Sequence, residues 1–313
     1  MKAIVYKKYG PPEALELIDM PVPSPDEDEV LIKISYAGVN PIDWKIGEGR
    51  MKAIRAYDFP LLVGRDLAGV IEHVGSRVTR FSPGNKVFAA LPGPGGAFAE
   101  FVAAPASYVA KAPDGISLKE SASLPLVALT CWQSLIENAG LARAQKVFIL
   151  SGAGGTGSLA VQIARARGAI VLTTCSPKNR AYVESLGARK VYDYANDDVV
   201  GEIRRDFPDG VDVVFSNVLG GLHEKSYGVL KRGGVLVTIG EPPIPALAEQ
   251  NDAREIDLVV TPNGEQLTEI SHMVDNGNLE PPVVTELSLD ECAKAFRMSM
   301  DGHVRGKIVL RVR

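Results

Sequence analysis

The sequence predicts an α/β protein in two parts, a doubly wound parallel sheet and a β-rich domain, and three features of the chain lead to that reading. Residues 1–122 break into short strand-like runs separated by Gly- and Pro-rich turns. From Ser121 onward, apolar runs alternate with helical patterns, the texture of a parallel sheet covered by helices on both faces. After Pro262 two helical patterns lead into a closing strand, which implies a return to the β-rich part. The expected domains are therefore residues 1–122 together with 263–313, and residues 123–262 between them.

In the first part, strands are expected over Lys2 to Tyr6, Glu13 to Asp19, Val30 to Gly38, Ala68 to Val74, Lys86 to Ala90 and Ala97 to Ala103. Turn clusters such as Pro21 to Asp28 and Pro92 to Gly96 separate them, as in a barrel-like β domain. In the second part the candidate strands are Lys146 to Leu150, Ile170 to Thr174, Lys190 to Tyr192, Val211 to Phe215, Val235 to Ile239 and Ile256 to Val260. Helices are expected over Gly157 to Arg167, Pro177 to Leu186, Glu265 to Asn276 and Asp290 to Met300, with a last strand over Lys307 to Val312.

A chain of 313 residues with 46% hydrophobic residues can bury a substantial core. Its formal net charge of −4 is spread without blocks of like charge, which argues against nucleic acid or an anionic membrane as partner and for a small molecule. No run of about 18 apolar residues could span a bilayer, and the start of the chain lacks a secretory pattern. A cytoplasmic protein is the expectation; a mature form from which a transit peptide has been removed reads the same way. Cys131, Cys175 and Cys292 form neither a disulfide framework nor a metal knuckle and read as packed thiols.

The run from Val147 to Leu150 leads straight into Ser151-Gly152-Ala153-Gly154-Gly155-Thr156-Gly157, followed by a helix with Leu159, Ile163 and Ala166 on its apolar face. A strand entering Gly-x-Gly-x-x-Gly and then a helix is the context a pyrophosphate needs. Glycines allow the tight turn, the close approach of backbone to phosphate and the packing of helix on strand, while the helix N-terminus favours negative charge. Gly152, Gly154, Gly155, Thr156 and Gly157 are the candidate residues for binding a dinucleotide.

An NAD enzyme would present a carboxylate to the ribose hydroxyls at the end of the second strand. This chain has Thr173-Thr174-Cys175-Ser176-Pro177-Lys178-Asn179-Arg180 there, without one. Ser176 can donate a hydrogen bond, and Lys178 and Arg180 can balance a 2′-phosphate, so NADP(H) is expected. For the two cations, and for Arg180 above all, a solvated first helical turn is the competing reading.

Further motifs extend the pattern over the whole chain: Gly38-Val39-Asn40-Pro41-Ile42-Asp43, Gly64-Arg65-Asp66-Leu67-Ala68-Gly69-Val70, Gly95-Gly96-Ala97-Phe98-Ala99-Glu100-Phe101, Leu124-Pro125 through Leu129-Thr130, and Arg305-Gly306-Lys307-Ile308-Val309-Leu310. In this order they resemble the medium-chain dehydrogenase/reductase superfamily, specifically its zinc-free quinone oxidoreductase branch. The resemblance implies a GroES-like catalytic domain and a Rossmann NADP-binding domain. Zinc alcohol dehydrogenases carry a Cys and a His as ligands where this chain has Asn40 and Arg65, and a guanidinium cannot ligate a cation. The structural zinc lobe is missing as well, and His73, His223, His272 and His303 show no ligand spacing. No metal site is expected.

Without a Lewis acid, conjugated acceptors are favoured, because the charge left by hydride addition is delocalised as a phenolate or enolate. The expected activity is NADPH-dependent reduction of a quinone or enone. Two alternatives stand beside it: an alkenal or enone reductase acting on lipid-derived or secondary metabolites, and a non-catalytic NADPH-binding sensor or structural protein. By resemblance, Asn40 lies near nicotinamide and substrate, and Thr130 near the nicotinamide ribose. Asp43 is either directly involved or structural. Tyr194 packs near the adenosine or fills a sheet edge. Val218 and Gly240 lie at strand ends that contact the cofactor, and Lys307 is a basic residue near the cleft or a surface lysine. Trp44 and Lys45 are candidates for lining the acceptor pocket, with a packing anchor as the other reading of Trp44. A general acid is not identifiable. A homodimer is implied, pairing through the edge of the nucleotide-binding sheet near Val235 to Leu247.

Overall fold

The computed structural model describes residues 1–195, 198–218, 220–302 and 304–313. His303, read above as structural or surface, lies outside the described residues. The chain divides into two compact units, one built from residues 1–129, 261–277 and 281–313, the other from residues 130–260 and 278–280.

The first unit opens with strands β1 (Lys2–Tyr6), β2 (Leu15–Asp19), β3 (Glu29–Val39), β4 (Leu61–Leu62), β5 (Asp66–Val74), β6 (Lys86–Ala90), β7 (Phe101–Pro105) and β8 (Val109–Lys111). Helices α1 (Pro41–Gly47) and α2 (Leu118–Ser121) interrupt and follow them, and α3 (Pro125–Trp132) carries the chain into the second unit. There β9 (Lys146–Ile149), α4 (Gly155–Ala166), β10 (Ile170–Cys175), α5 (Arg180–Ser185), β11 (Lys190–Asp193), α6 (Val199–Asp206), β12 (Val211–Ser216), α7 (Gly221–Ser226), β13 (Leu230–Thr238), α8 (Pro245–Gln250) and β14 (Arg254–Asp257) alternate. The chain then returns with α9 (Gly264–Asp275), β15 (Val284–Ser288), α10 (Cys292–Met300) and β16 (Lys307–Arg311).

In the second unit the strands form a parallel sheet in the order β11-β10-β9-β12-β13-β14. This is the doubly wound order, with its reversal between β9 and β12, the place where such sheets bind ligands beyond their carboxyl ends. Both faces are covered, so Val147 to Leu150 and Val213 to Phe215 run as continuous buried apolar stretches. In the first unit, β15-β16-β3-β5-β6-β8 form one sheet with β7 also on β3, and β2-β1-β4 form a smaller one. The closing strand β16 pairs antiparallel with β3, which joins the end of the chain to its beginning.

Several expectations shift. The run Ala97 to Ala103 is not one strand, because Gly96 and Ala97 turn their N–H groups onto Gly64 O, and pairing with β3 begins only at Phe101. Glu13 to Asp19 begins as a helical turn over Pro12–Ala14, and β2 starts at Leu15. The last sheet strand is Arg254–Asp257 rather than Ile256 to Val260, and Val259 is 81% exposed. An edge strand that carries Arg254, Glu255 and Asp257 gives a weak apolar signal, and the charges blunt its free edge. The dimer edge expected near Val235 to Leu247 is corrected for the same reason: Val235–Thr238 is paired on both sides, by β12 and by β14.

The Gly95-Gly96 motif has a steric cause. Gly95 sits at φ +88°, and a Cβ there would stand 1.8 Å from the Gly64 carbonyl oxygen, the acceptor for Gly96 and Ala97. Gly95→Ala is therefore expected to cost about 1–3 kcal/mol and to lower the melting temperature of that unit by about 3–8 °C, measured by circular dichroism; an unchanged melt would disprove the strain.

Candidate active site

The second unit presents its glycine loop at the end of β9. Ser151 adopts a left-handed conformation, φ 57°, and donates its N–H to Thr174 Oγ1 at 3.0 Å, while Gly152 N donates to Thr174 O at 2.8 Å. A Cβ on Gly152 would stand 2.4 Å from Thr173 Oγ1, and one on Gly157 would stand 1.9 Å from Ser151 O. These two glycines are thus required by the turn and by the packing of α4 on the loop. A Cβ on Gly154 would come no nearer than 3.5 Å to anything outside its chain neighbours, so bare backbone there leaves the approach to the helix open.

Gly154 is the N-cap of α4, no side chain caps the helix, and no acidic residue occupies its first turn. The N–H groups of Gly155, Thr156 and Gly157 are consequently available to an external anion. These features fit a pyrophosphate, and the loop meets the requirement for a dinucleotide cofactor.

At the end of β10, Ser176 is half-buried and accepts from Asn179 Nδ2 at 3.3 Å. Lys178 is exposed and has no ionic partner among the described residues. Arg180 differs: its Nη1 donates to Val191 O at 2.7 Å and lies 3.9 Å from Glu184 Oε1. Tyr194, just beyond β11, is 58% exposed, so it is not a core aromatic. Val218 is half-buried against the apolar cluster of this unit, and Gly240 is exposed beyond β13. Thr130 lies in α3 and is buried.

The loops after β12 and β13 hold residues that the motifs did not indicate. Glu241 accepts from Gly220 N at 2.6 Å and, through its carbonyl, from Thr238 Oγ1 at 2.7 Å, tying the two loops together. His223 is buried with Nδ1 2.9 Å from Ser216 Oγ.

The first unit holds a buried polar cluster around Asn40. Asn40 is the N-cap of α1, Pro41 follows it, and Asp43 Oδ2 accepts from Asn40 N at 2.8 Å. The Asn40 side chain donates from Nδ2 to Asp66 Oδ2 at 2.9 Å and accepts at Oδ1 from Lys307 Nζ at 2.5 Å. Lys307 Nζ also donates to Val39 O at 2.8 Å and lies 3.5 Å from Asp66 Oδ2, whose Oδ1 accepts from Leu126 N at 2.8 Å. Lys307 is 5% exposed, so it is not a surface lysine. Burial pushes the Asp43 carboxyl up to about 7, opposed by the Asn40 amide and supported by nearby Asp66. Burial likewise raises Asp66, opposed first by Lys307, and lowers Lys307, opposed first by Asp66.

The structure thus brings together Asn40, Asp43 and Lys307 and adds Asp66, which the sequence marks only as part of the Gly64 to Val70 motif. Trp44 is buried in α1 with Nε1 3.1 Å from Ser299 Oγ and with the Arg50 guanidinium 4.9 Å from its ring centroid, so it is the packing anchor of that helix. Arg65 directs its Nε to Leu91 O at 2.8 Å. Among the described residues no three His, Cys, Asp or Glu side chains gather as metal ligands, and no helix is long and apolar enough to cross a membrane.

Residues 26–114 match the alcohol dehydrogenase GroES-like domain, and residues 186–310 match the zinc-binding dehydrogenase family. The chain is 36% identical to a 2-methylene-furan-3-one reductase of Solanum lycopersicum, over 99% of this chain and 79% of that protein. It is 34% identical to the chloroplastic NADPH-dependent alkenal/one oxidoreductase of Arabidopsis thaliana, over the same shares. The solved quinone oxidoreductase of Coxiella burnetii superposes with a TM-score of 0.89 at 31% identity, covering 100% of this chain and 99% of that one. With a doubly wound sheet that carries the glycine loop and a GroES-like unit that carries the Asn40 cluster, the chain belongs to the medium-chain dehydrogenase/reductase family, in its branch of quinone oxidoreductases and enone reductases, and is an oxidoreductase of that kind.

Proposed function

We propose that the protein reduces quinones or other conjugated carbonyl compounds with NADPH by direct hydride transfer, without zinc. The observation that carries the cofactor half is the open N-terminus of α4 behind the glycine loop, together with an unpaired Lys178 and no carboxylate at the end of β10. Gly155 to Gly157 bind the pyrophosphate through backbone N–H groups, with Gly152 and Gly154 shaping the loop, Ser176 and Lys178 bind the 2′-phosphate, and Tyr194 lies against the adenosine. Arg180 contributes less, because its Nη1 is engaged by Val191 O and Glu184. Thr130, Val218 and Gly240 serve the nicotinamide end. The bound nicotinamide supplies a hydride, which the acceptor takes at a conjugated carbon.

On the acceptor side, Asn40 offers a hydrogen-bond donor to the oxygen on which negative charge develops, and Lys307 stands behind Asn40 rather than at a phosphate. Asp43 holds the first turn of α1 through Asn40 N. Arg65 and Asn40 occupy the positions of the zinc ligands of related alcohol dehydrogenases, and neither suits the metal. Delocalisation in a conjugated acceptor removes the need for a Lewis acid. Relatives named for enone, alkenal and quinone substrates support this acceptor class. The proposal includes a homodimer.

The decisive assay is oxidation of NADPH and NADH by chelator-treated protein against a para-quinone, an ortho-quinone, an alkenal, a cyclic enone and a simple aldehyde. Turnover with NADPH and at least one conjugated acceptor is expected, with kcat/KM about 100-fold or more above that for the aldehyde, a gap equivalent to about 2.7 kcal/mol of transition-state stabilisation. Activity that disappears on chelation and returns with zinc would overturn the metal-free reading. Lys178→Ala should raise the Kd for NADPH by about 10-fold or more, the loss of one charge-assisted hydrogen bond, and that for NADH hardly at all, as read by fluorescence titration. Equal losses for both cofactors would remove Lys178 from the 2′-phosphate site.

A further inference from the structure

The Asn40 carboxamide is held at both ends by buried charges that belong to the same compact unit. An ammonium can only donate and an ionised carboxylate can only accept, so Oδ1 must face Lys307 and Nδ2 must face Asp66. The reverse orientation would set donor against donor and acceptor against acceptor. Each holder is itself fixed, Lys307 by Val39 O and Asp66 by Leu126 N, and the Asn40 backbone is fixed by Asp43. After these bonds the carboxamide retains one Nδ2–H with no partner among the described residues.

We propose that Lys307 and Asp66 are positioning residues, which lock the Asn40 carboxamide so that its remaining N–H meets the acceptor oxygen as negative charge grows there. The inference rests on the reading of Asn40 as the acceptor-side donor and deepens it. When a conjugated carbonyl accepts hydride at its distal carbon, the π pair moves toward the carbonyl and the oxygen becomes an enolate or phenolate, which then takes a proton from water. The acceptor is reduced by two electrons and the nicotinamide is oxidised by two. A donor already aimed at that oxygen has no reorganisation to undergo as the charge forms. Lys307 reinforces the effect, since a cation on Oδ1 polarises the amide and makes the free N–H a better donor. A buried ion pair is weak evidence of stabilisation but well suited to fixing one orientation.

A double-mutant cycle tests the proposal, with kcat for an enone and the Kd for NADPH as separate readouts. Asn40→Ala is expected to lower kcat by about 100-fold, the usual cost of one oxyanion donor. Lys307→Met should lower kcat by about 10- to 100-fold, the cost of misaiming that donor, with the Kd for NADPH changed by less than about 3-fold. In the Asn40→Ala background Lys307→Met should change kcat by less than about 2-fold, because its effect passes through Asn40. Asp66→Asn, which keeps the shape and removes the charge, should behave in the same way and decides the matter if Lys307→Met does not fold. Equal kcat losses in both backgrounds would overturn the clamp while leaving Asn40 as the donor. An Asn40→Ala variant with unchanged kcat would overturn the acceptor-side reading and the clamp with it. A large rise in the Kd for NADPH with kcat intact would reassign Lys307 to the cofactor.

Discussion

The first unit depends on one buried ionic knot. A lysine and an aspartate withdrawn from water, Lys307 and Asp66, are tolerated only when each finds partners, and here those partners come from distant parts of the chain. Val39 and Asn40 end one strand and begin a helix, Asp66 begins another strand, Leu126 lies just inside α3, and Lys307 opens the closing strand. Satisfying Lys307 therefore fixes where β16 meets β3, and satisfying Asp66 fixes where α3 leaves. The geometry around Asn40 is a by-product of this accounting for buried charge.

The second unit solves a different problem, how to present bare backbone to an anion. Gly152 and Gly157 are dictated from within, by Thr173 on one side and the Ser151 carbonyl on the other, whereas Gly154 is dictated by what must come from outside. With no cap and no acidic residue in the first turn, α4 keeps its field open. The tie from Glu241 to Gly220 shows the same economy at the neighbouring strand ends, where two loops brace each other with a single carboxylate.

The glycine loop, the two halves of the fold and the missing ribose carboxylate were legible because their signals are local: spacing, period and residue type within a few positions. Helix α1 is marked too, by Asn40, Pro41 and Asp43 in N-cap, N1 and N3 positions. The partnership of Asp66 and Lys307 with Asn40 was not legible, since it joins residues that only the folded sheet makes neighbours; Lys307 read equally well as a cleft residue or a surface one. Nor was the commitment of Arg180 to Val191 O, because a guanidinium and a carbonyl leave no trace in sequence. The edge strand β14 was misplaced because a charged edge carries little apolar pattern.

The division of the first unit between the two ends of the chain has a consequence during synthesis. On the ribosome, strands β1 to β8 emerge well before Lys307, which stands 267 positions after Asn40. Throughout that interval Asp66 lacks its counter-ion, Asn40 Oδ1 lacks its donor, and β3 lacks the strand that closes its edge. The doubly wound sheet, encoded without interruption from residue 130 to 260, can be complete while the older half of the molecule is still waiting. Residues 281–313 thus finish the unit that residues 1–129 begin.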